Sequence, residues 1–324
     1  MRHFLIRLIT LCGVLCAFAP RSETSAVTPP PTPQNASAEA NPFFAESALP
    51  FHAPPFDRIK ESDYQPAIEE GMRQQLAEVE AIANNTEPPT FDNTVVAMER
   101  DGALLNRVSR VFFGLTQANT NPALQKIQSE EAPKLAAHQD KIYLNPKLFA
   151  RVKSLYERRD KLSLDAESKY LVERYYKTFV RAGALLSDAD KAKLSALNQE
   201  EAKLSTDFRH KVLADTNASA VVVDDRAQLE GLSEGDVAAA AALAKERNLA
   251  GKYVIALQNT TRQPVVKLMK NRALREQILK ASSERGSHGG DNDTRAVVAR
   301  MAQLRAEKAK LLGYSTYAAY SLDD

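Results

Sequence analysis

Five histidines are the first candidates for chemistry: His3, His52, His138, His210 and His288. A helical zinc site of the H-E-x-x-H type needs two imidazoles one turn apart, with a glutamate beside the first to activate water. His138 is followed by Gln139 and His210 by Lys211, so neither opens such a motif. Both read as solvated or hydrogen-bonded helical histidines. Ser287 lies between Gly286 and His288 and precedes Gly289-Gly290, but this is not the G-x-S-x-G elbow and has no phosphate-loop lysine. Asp291 and Asp293 lack the glycine and terminal glutamate of a calcium loop. The segment reads as a flexible connector between helices. Arg272, Arg275 and Arg285 form a cationic row, read as surface ion pairs, and Glu69-Glu70 and Glu130-Glu131 read as solvent-facing acids. No residue is assigned a catalytic, cofactor-binding or metal-ligating role.

The elements that would position any such residue begin after two segments of different character. Arg2, His3 and Arg7 precede an apolar run over residues 8–19. That run is too short for a membrane span of roughly 20 residues and fits a cleavable export signal. Thr24-Ser25-Ala26 supplies the small-residue cleavage site, so the signal covers 1–26 and the mature chain starts at Val27. Both cysteines, Cys12 and Cys16, lie inside the signal, which leaves no disulfide in the mature chain. Cleavage takes three of the 43 basic and one of the 41 acidic residues, leaving 40 of each. A neutral chain without a concentrated basic field is not built for nucleic acid, and no later apolar run suggests a membrane. The expected compartment is the periplasm or the exterior. Residues 27–41, with Pro29-Pro30-Pro31 and Pro33, form a Pro-rich disordered linker.

From 42 onward helical periodicity dominates, and the fold class is mainly α with long antiparallel helices. A first helix follows Ser62-Asp63, has Pro66 in its first turn, and aligns Ile68, Met72, Leu76, Val79 and Ile82. A second follows Phe91-Asp92-Asn93-Thr94 and runs through Val95, Met98, Leu105, Val108, Phe112 and Leu115. Asn121-Pro122 opens a third, kinked at Pro133, and Asn145-Pro146 restarts the chain. Long helices follow over 165–182 and from Ser187, whose Asp190 completes a capping pattern. Two β-branched runs, at Ala220-Val221-Val222-Val223 and Lys252-Tyr253-Val254-Ile255-Ala256-Leu257, flank an alanine-rich helix and make a small β-α-β insertion over about 219–257. Further helices are read over 264–270, 271–284 and 294–312.

Several segments together resemble the thimet oligopeptidase and peptidyl-dipeptidase family of zinc metallopeptidases. They are Pro54-Pro55-Phe56-Asp57-Arg58-Ile59, Pro88-Pro89-Thr90-Phe91-Asp92-Asn93-Thr94, Gly251-Lys252-Tyr253-Val254-Ile255-Ala256-Leu257, Asn271-Arg272-Ala273-Leu274-Arg275-Glu276 and Lys310-Leu311-Leu312-Gly313-Tyr314. The resemblance covers about 41–324 and is nearest the bacterial peptidyl-dipeptidase branch. It implies a two-lobed helical enzyme whose channel admits short peptides, monomeric when complete. It also implies zinc held in a C-terminal half by the two histidines of H-E-x-x-H and a later glutamate. None of those ligands matches a position here, so no zinc is expected on this chain alone.

The stretch over 251–324 then acquires a meaning. Tyr317, Tyr320 and Leu322 look like core residues awaiting a partner. The reading is a helical N-terminal metallopeptidase lobe over 42–324, truncated before the catalytic half and inactive alone. The alternative is a non-catalytic helical peptide-binding module or a split-enzyme subunit. An unrelated helical adaptor or export chaperone is the third reading.

Overall fold

The structure is a computed structural model and describes residues 41–323. The expected export signal over 1–26 and the expected Pro-rich linker lie outside the described residues, apart from Asn41. Asn41 belongs to the fold. Its side chain accepts from the Phe43 N–H at 3.0 Å and donates to the Asp63 carbonyl at 2.8 Å, fixing where the chain enters the helical body.

Helix α1 (Glu61–Ala83) starts earlier than the Ser62-Asp63 signal suggests. Asp63 lies in its first turn and accepts from the Lys60 N–H at 2.7 Å, which puts Pro66 in the second turn. Thr90 then caps a wide π-type turn (Phe91–Val96) that runs into α2 (Ala97–Arg100), and α3 (Ala103–Ala118) follows. The single helix expected here is therefore broken. The break is at Gly102, with φ +66°, where a Cβ would sit 2.6 Å from the Gln75 side chain. Only glycine suits both the left-handed backbone and the close approach.

Helix α4 (Pro122–Tyr143) is capped by Asn121 and continues through Pro133 as one helix. Helices α5 (Pro146–Glu157), α6 (Ala166–Arg181) and α7 (Asp188–Ala218) start at side-chain caps from Asn145, Asp165 and Ser187. These are the asparagine, aspartate and serine types that satisfy orphan N–H groups best.

Strands β1 (Val221–Val223) and β2 (Tyr253–Ile255) pair antiparallel, Val222 opposite Val254, across α8 (Glu234–Glu246). Helix α9 (Asn259–Leu268) begins well before Pro264, which lies inside it rather than opening it. Helices α10 (Arg272–Ser283), α11 (Arg295–Leu311) and α12 (Tyr317–Ser321) complete the order. The described residues are mainly helical, as their periodicity implies.

The apolar core is divided. Ile68, Val108 and Phe112 fill the space between α1, α3 and α4. Leu148, Val152 and Phe179 join α1, α5 and α6. Val223, Ile255, Leu257 and Ile278 form a third cluster around the small sheet. Among the described residues no helix is long and apolar enough to cross a membrane. Of the terminal apolar residues, Tyr320 lies beneath the Arg181 guanidinium at 5.5 Å and meets Tyr314 edge-on, whereas Leu322 is 83% exposed.

Candidate binding cavities along α4

One stripe of α4 reads Leu124, Gln128, Glu131, Leu135, His138, Ile142, which is the spacing of a buried helical face. Three of these six positions are polar, and Gln128, Glu131 and His138 are buried. A buried polar side chain is costly unless it is hydrogen-bonded, so each must find partners on the helices packed against α4.

Toward α1, Glu131 accepts from Gln65 at 2.9 Å and from Lys134 at 2.8 Å. Lys134 also reaches Glu69, and these two carboxylates hold its ammonium well above the usual lysine range. Glu131 is fully buried, so the expectation of a solvent-facing Glu130-Glu131 pair is corrected for the second member. The helical period turns Glu130 outward and Glu131 inward.

His138 is hydrogen-bonded through Nε2 to Gln75 Oε1 at 2.6 Å, and Gln75 Nε2 donates to Asp101 Oδ1 at 2.6 Å. An ionised carboxylate only accepts, so this chain of bonds puts the imidazole proton on Nε2 and leaves Nδ1 as an acceptor. Burial, with Lys141 as a smaller cause, pushes the His138 pKa down and keeps the ring neutral. Asp101 is pushed up to about 6, first by burial and then by Glu78 and Glu99, against the lowering effect of Gln75.

Toward α7, Gln128 Oε1 accepts from His210 Nε2 at 2.9 Å, and Asn198 Nδ2 donates to Asp140 Oδ1 at 2.7 Å. Burial also lowers the His210 pKa. Four buried acceptor atoms around α4 receive no protein donor: Glu131 Oε2 and His138 Nδ1 on the side toward α1, and Asp140 Oδ2 and Asn198 Oδ1 on the side toward α7. Each lies on α4 or on the α7 face opposite it.

Three cavities follow the same helix. The first, about 360 Å³, lies between α4, α6, α7 and α11 and is lined by Asp140, Tyr143, Arg181, Asn198, Glu201 and Lys308. A second, about 490 Å³, has Arg73, Lys134, His138 and Gln199 on its wall. A third, about 360 Å³, includes Gln75, Asn106 and His138. Asp140, Asn198 and Glu201 carried no signal as isolated residues. The readable signal was the polar interruption of α4's buried stripe.

The other residues considered for chemistry do not converge. Arg275 donates to the carbonyls of Met269 and Lys270, Arg285 donates to the Ser282 carbonyl, and Arg272 is exposed. The connector around Ser287 is held more firmly than its glycines suggest. Buried Asp215, on α7, accepts from the Gly286 N–H at 2.7 Å and contacts His288 Nδ1 at 3.1 Å. Ser287 Oγ donates to the Glu284 carbonyl at 2.7 Å.

Zinc chemistry requires ligands that meet at one point. Among the described residues no group of three or more His, Cys, Asp or Glu could hold a metal ion. The nearest approach is His288, with Asp215 at Nδ1 and Glu284 3.7 Å from Nε2. The two carboxylates flank opposite ring nitrogens and cannot share an ion. These residues do not fit a zinc site.

Comparison with known proteins places the scaffold. Residues 265–324 match Peptidase family M3. Over 284 residues the chain is 46% identical to the dipeptidyl carboxypeptidase of Escherichia coli (strain K12), covering 88% of this chain and 42% of that protein. The chain is similar to peptidases of family M3 over the residues these matches cover. Identity to the dipeptidyl carboxypeptidase of Salmonella typhimurium is 44% over 284 residues, again 88% of this chain and 42% of the relative. The oligopeptidase A of E. coli is 26% identical over 277 residues, 84% of this chain and 41% of that protein. The resemblance read from the sequence thus stands, with more identity on the dipeptidyl carboxypeptidase side. The chain spans less than half the length of these M3 relatives. The stretch matching family M3 begins within α9 and includes α10 to α12, of which α11 and α12, with Leu312 between them, contribute to the wall of the first α4 cavity.

Proposed function

We propose that this chain is the helical scaffold lobe of a zinc peptidase of the dipeptidyl carboxypeptidase or oligopeptidase type, acting on short peptides. The observation that carries this is the 46% identity to a dipeptidyl carboxypeptidase, sustained over 284 residues. Zinc-dependent peptide hydrolysis needs a converging ligand set and a base to activate water. The 324 residues contain no H-E-x-x-H, and His138, His210 and His288 are engaged separately by Gln75, Gln128 and Asp215. The lobe therefore frames a channel wall and does not cut peptides alone.

The purified 324-residue chain, supplied with zinc and a blocked tetrapeptide, is expected to release no fragment. Chelator-sensitive release by this chain alone would overturn the reading. The same proposal includes export: the signal over 1–26 directs the chain to the periplasm or beyond and is removed after Ala26. N-terminal sequencing of the exported protein is expected to begin at Val27, and an intact Met1 would refute cleavage.

A further inference from the structure

The break between α2 and α3 is held by groups that can change charge. Helix α3 follows Gly102, which sits in the left-handed region at φ +66° and supplies no side-chain cap. The start of the helix is closed from α1 instead. Glu78 Oε2 accepts the Gly102 N–H at 2.8 Å, and Gln75 Nε2 donates to Asp101 Oδ1 at 2.6 Å. Gln75 is itself tied to His138 of α4 at 2.6 Å. The N-terminus of α3 therefore already has one carboxylate, Glu78, on its N–H group, and Asp101 is a second brought alongside it.

The charge gathered here is one-sided. Around half-buried Asp101 stand Glu78 of α1, Glu99 of α2, His138 and Tyr143 of α4, and Tyr175 of α6. Tyr175 donates to Glu99 Oε1 at 2.6 Å, and burial keeps His138 neutral. Cations on the same helices are directed elsewhere: Arg73 pairs with Glu70 at 2.6 Å, Arg107 donates to the Phe43 carbonyl at 2.8 Å, and Arg100 and Lys141 are exposed. Carboxylates drawn together in a partly dry place favour a proton on one of them. Burial, with Glu78 and Glu99 adding to it, outweighs the Gln75 bond and pushes Asp101 up to about 6. Gly102 also lines the third α4 cavity with Gln75, Leu105, Asn106 and His138, so movement at the break alters that wall.

We propose that the Gly102 break is a proton-operated hinge, closed while Asp101 carries a proton and loosened at the start of α3 when the proton leaves. The inference stands apart from the peptidase reading. Asp101 has a folded pKa above its ordinary 3.8, so the advantage of the closed form is full below 3.8 and is lost as pH rises through about 6. Between about pH 5 and about pH 7.5 these two values make opening about tenfold more favourable.

Hydrogen exchange of the full 324-residue chain, followed by mass spectrometry and divided by the intrinsic rate at each pH, tests it over residues 97–106. Low urea isolates local opening, which exposes little surface and responds weakly to denaturant. Urea-insensitive exchange in this segment is expected to be about tenfold faster at about pH 7.5 than at about pH 5. Asp101→Asn should hold the segment at its acidic, protected level at both pH values. If that variant fails to fold, Glu78→Gln decides: it keeps an acceptor for the Gly102 N–H and removes one carboxylate, so the midpoint of the pH response should fall. Exchange that does not change with pH, or that proceeds only by the urea-sensitive route, overturns the proposal. Full pH dependence in folded Asp101→Asn, or an unmoved midpoint in Glu78→Gln, overturns it as well.

Discussion

The α1–α3 and α4–α7 interfaces solve the same packing problem with opposite chemistry. Between α1 and α3 the contact is dry: Ile68, Val108 and Phe112 are fully buried, and Tyr64 packs against Phe43 and Phe112 at 5.4 and 5.3 Å. Gly71 lets the backbones approach so closely that a Cβ there would lie 2.8 Å from the Leu105 Cα. Between α4 and α7 the contact is made by Gln128 with His210 and Asp140 with Asn198, and it leaves buried acceptors beside a cavity. A dry interface is stabilised by close packing and tolerates little change in volume. A polar one depends on matched partners and can accommodate a ligand. Dry packing and polar pairing thereby hold different faces of one helical body.

The largest way to break this contrast is at its dry side. Phe112→Ala should cost about 4 kcal/mol of unfolding free energy in a urea titration, through lost transfer energy and the cavity left behind. Gly71→Ala comes next, at about 3 kcal/mol, because the added methyl meets Leu105 backbone that cannot move aside. If either change proved neutral, the close approach of α1 and α3 would not be a source of stability.

The polar side should respond through pairing rather than volume. Asn198→Ala removes Asp140's donor and should cost about 2 kcal/mol, whereas replacing both partners by leucine should cost much less. Equal losses for the single and double variants would mean that packing, not pairing, governs α4–α7.

The smallest effect is at Asp101, beneath the His138–Gln75 bond. Its folded pKa, about 6, lies above the ordinary value of 3.8. The stability associated with its neutral form is present below the ordinary value and is lost as pH rises through about 6. Asp101→Asn should therefore add about 1 kcal/mol at about pH 8 and much less at about pH 4, a difference read from urea midpoints. A gain independent of pH would argue against the buried carboxylate as its cause.

Much of this organisation was legible in the sequence where local rules decide. Asn121, Asn145, Asp165 and Ser187 cap the helices their spacing predicts, since a cap depends only on the next three residues. The β-branched runs read at 220–223 and 252–257 pair as their composition implies, over the narrower 221–223 and 253–255. Gly102 was harder to read, because its break depends on Gln75 arriving from another helix. Pro66 and Pro264 misled about helix starts: proline marks a first turn only when no earlier residue nucleates the helix. The connector at Gly286 looked flexible because Asp215, which anchors it, is 71 residues away in the chain.

The sequence by itself determined the helical class, most of the caps, the near balance of basic and acidic residues, the absence of an H-E-x-x-H motif and the resemblance to a peptidase family. All of these rest on composition or on neighbours within a turn or two. Only the tertiary structure decided that Glu131 is buried while Glu130 is not, and that Asp140 meets Asn198 beside a cavity. It also decided that the histidines point to different partners. Those outcomes depend on which helix lies across from which, and burial and hydrogen-bond partnership are properties of that pairing rather than of either helix alone.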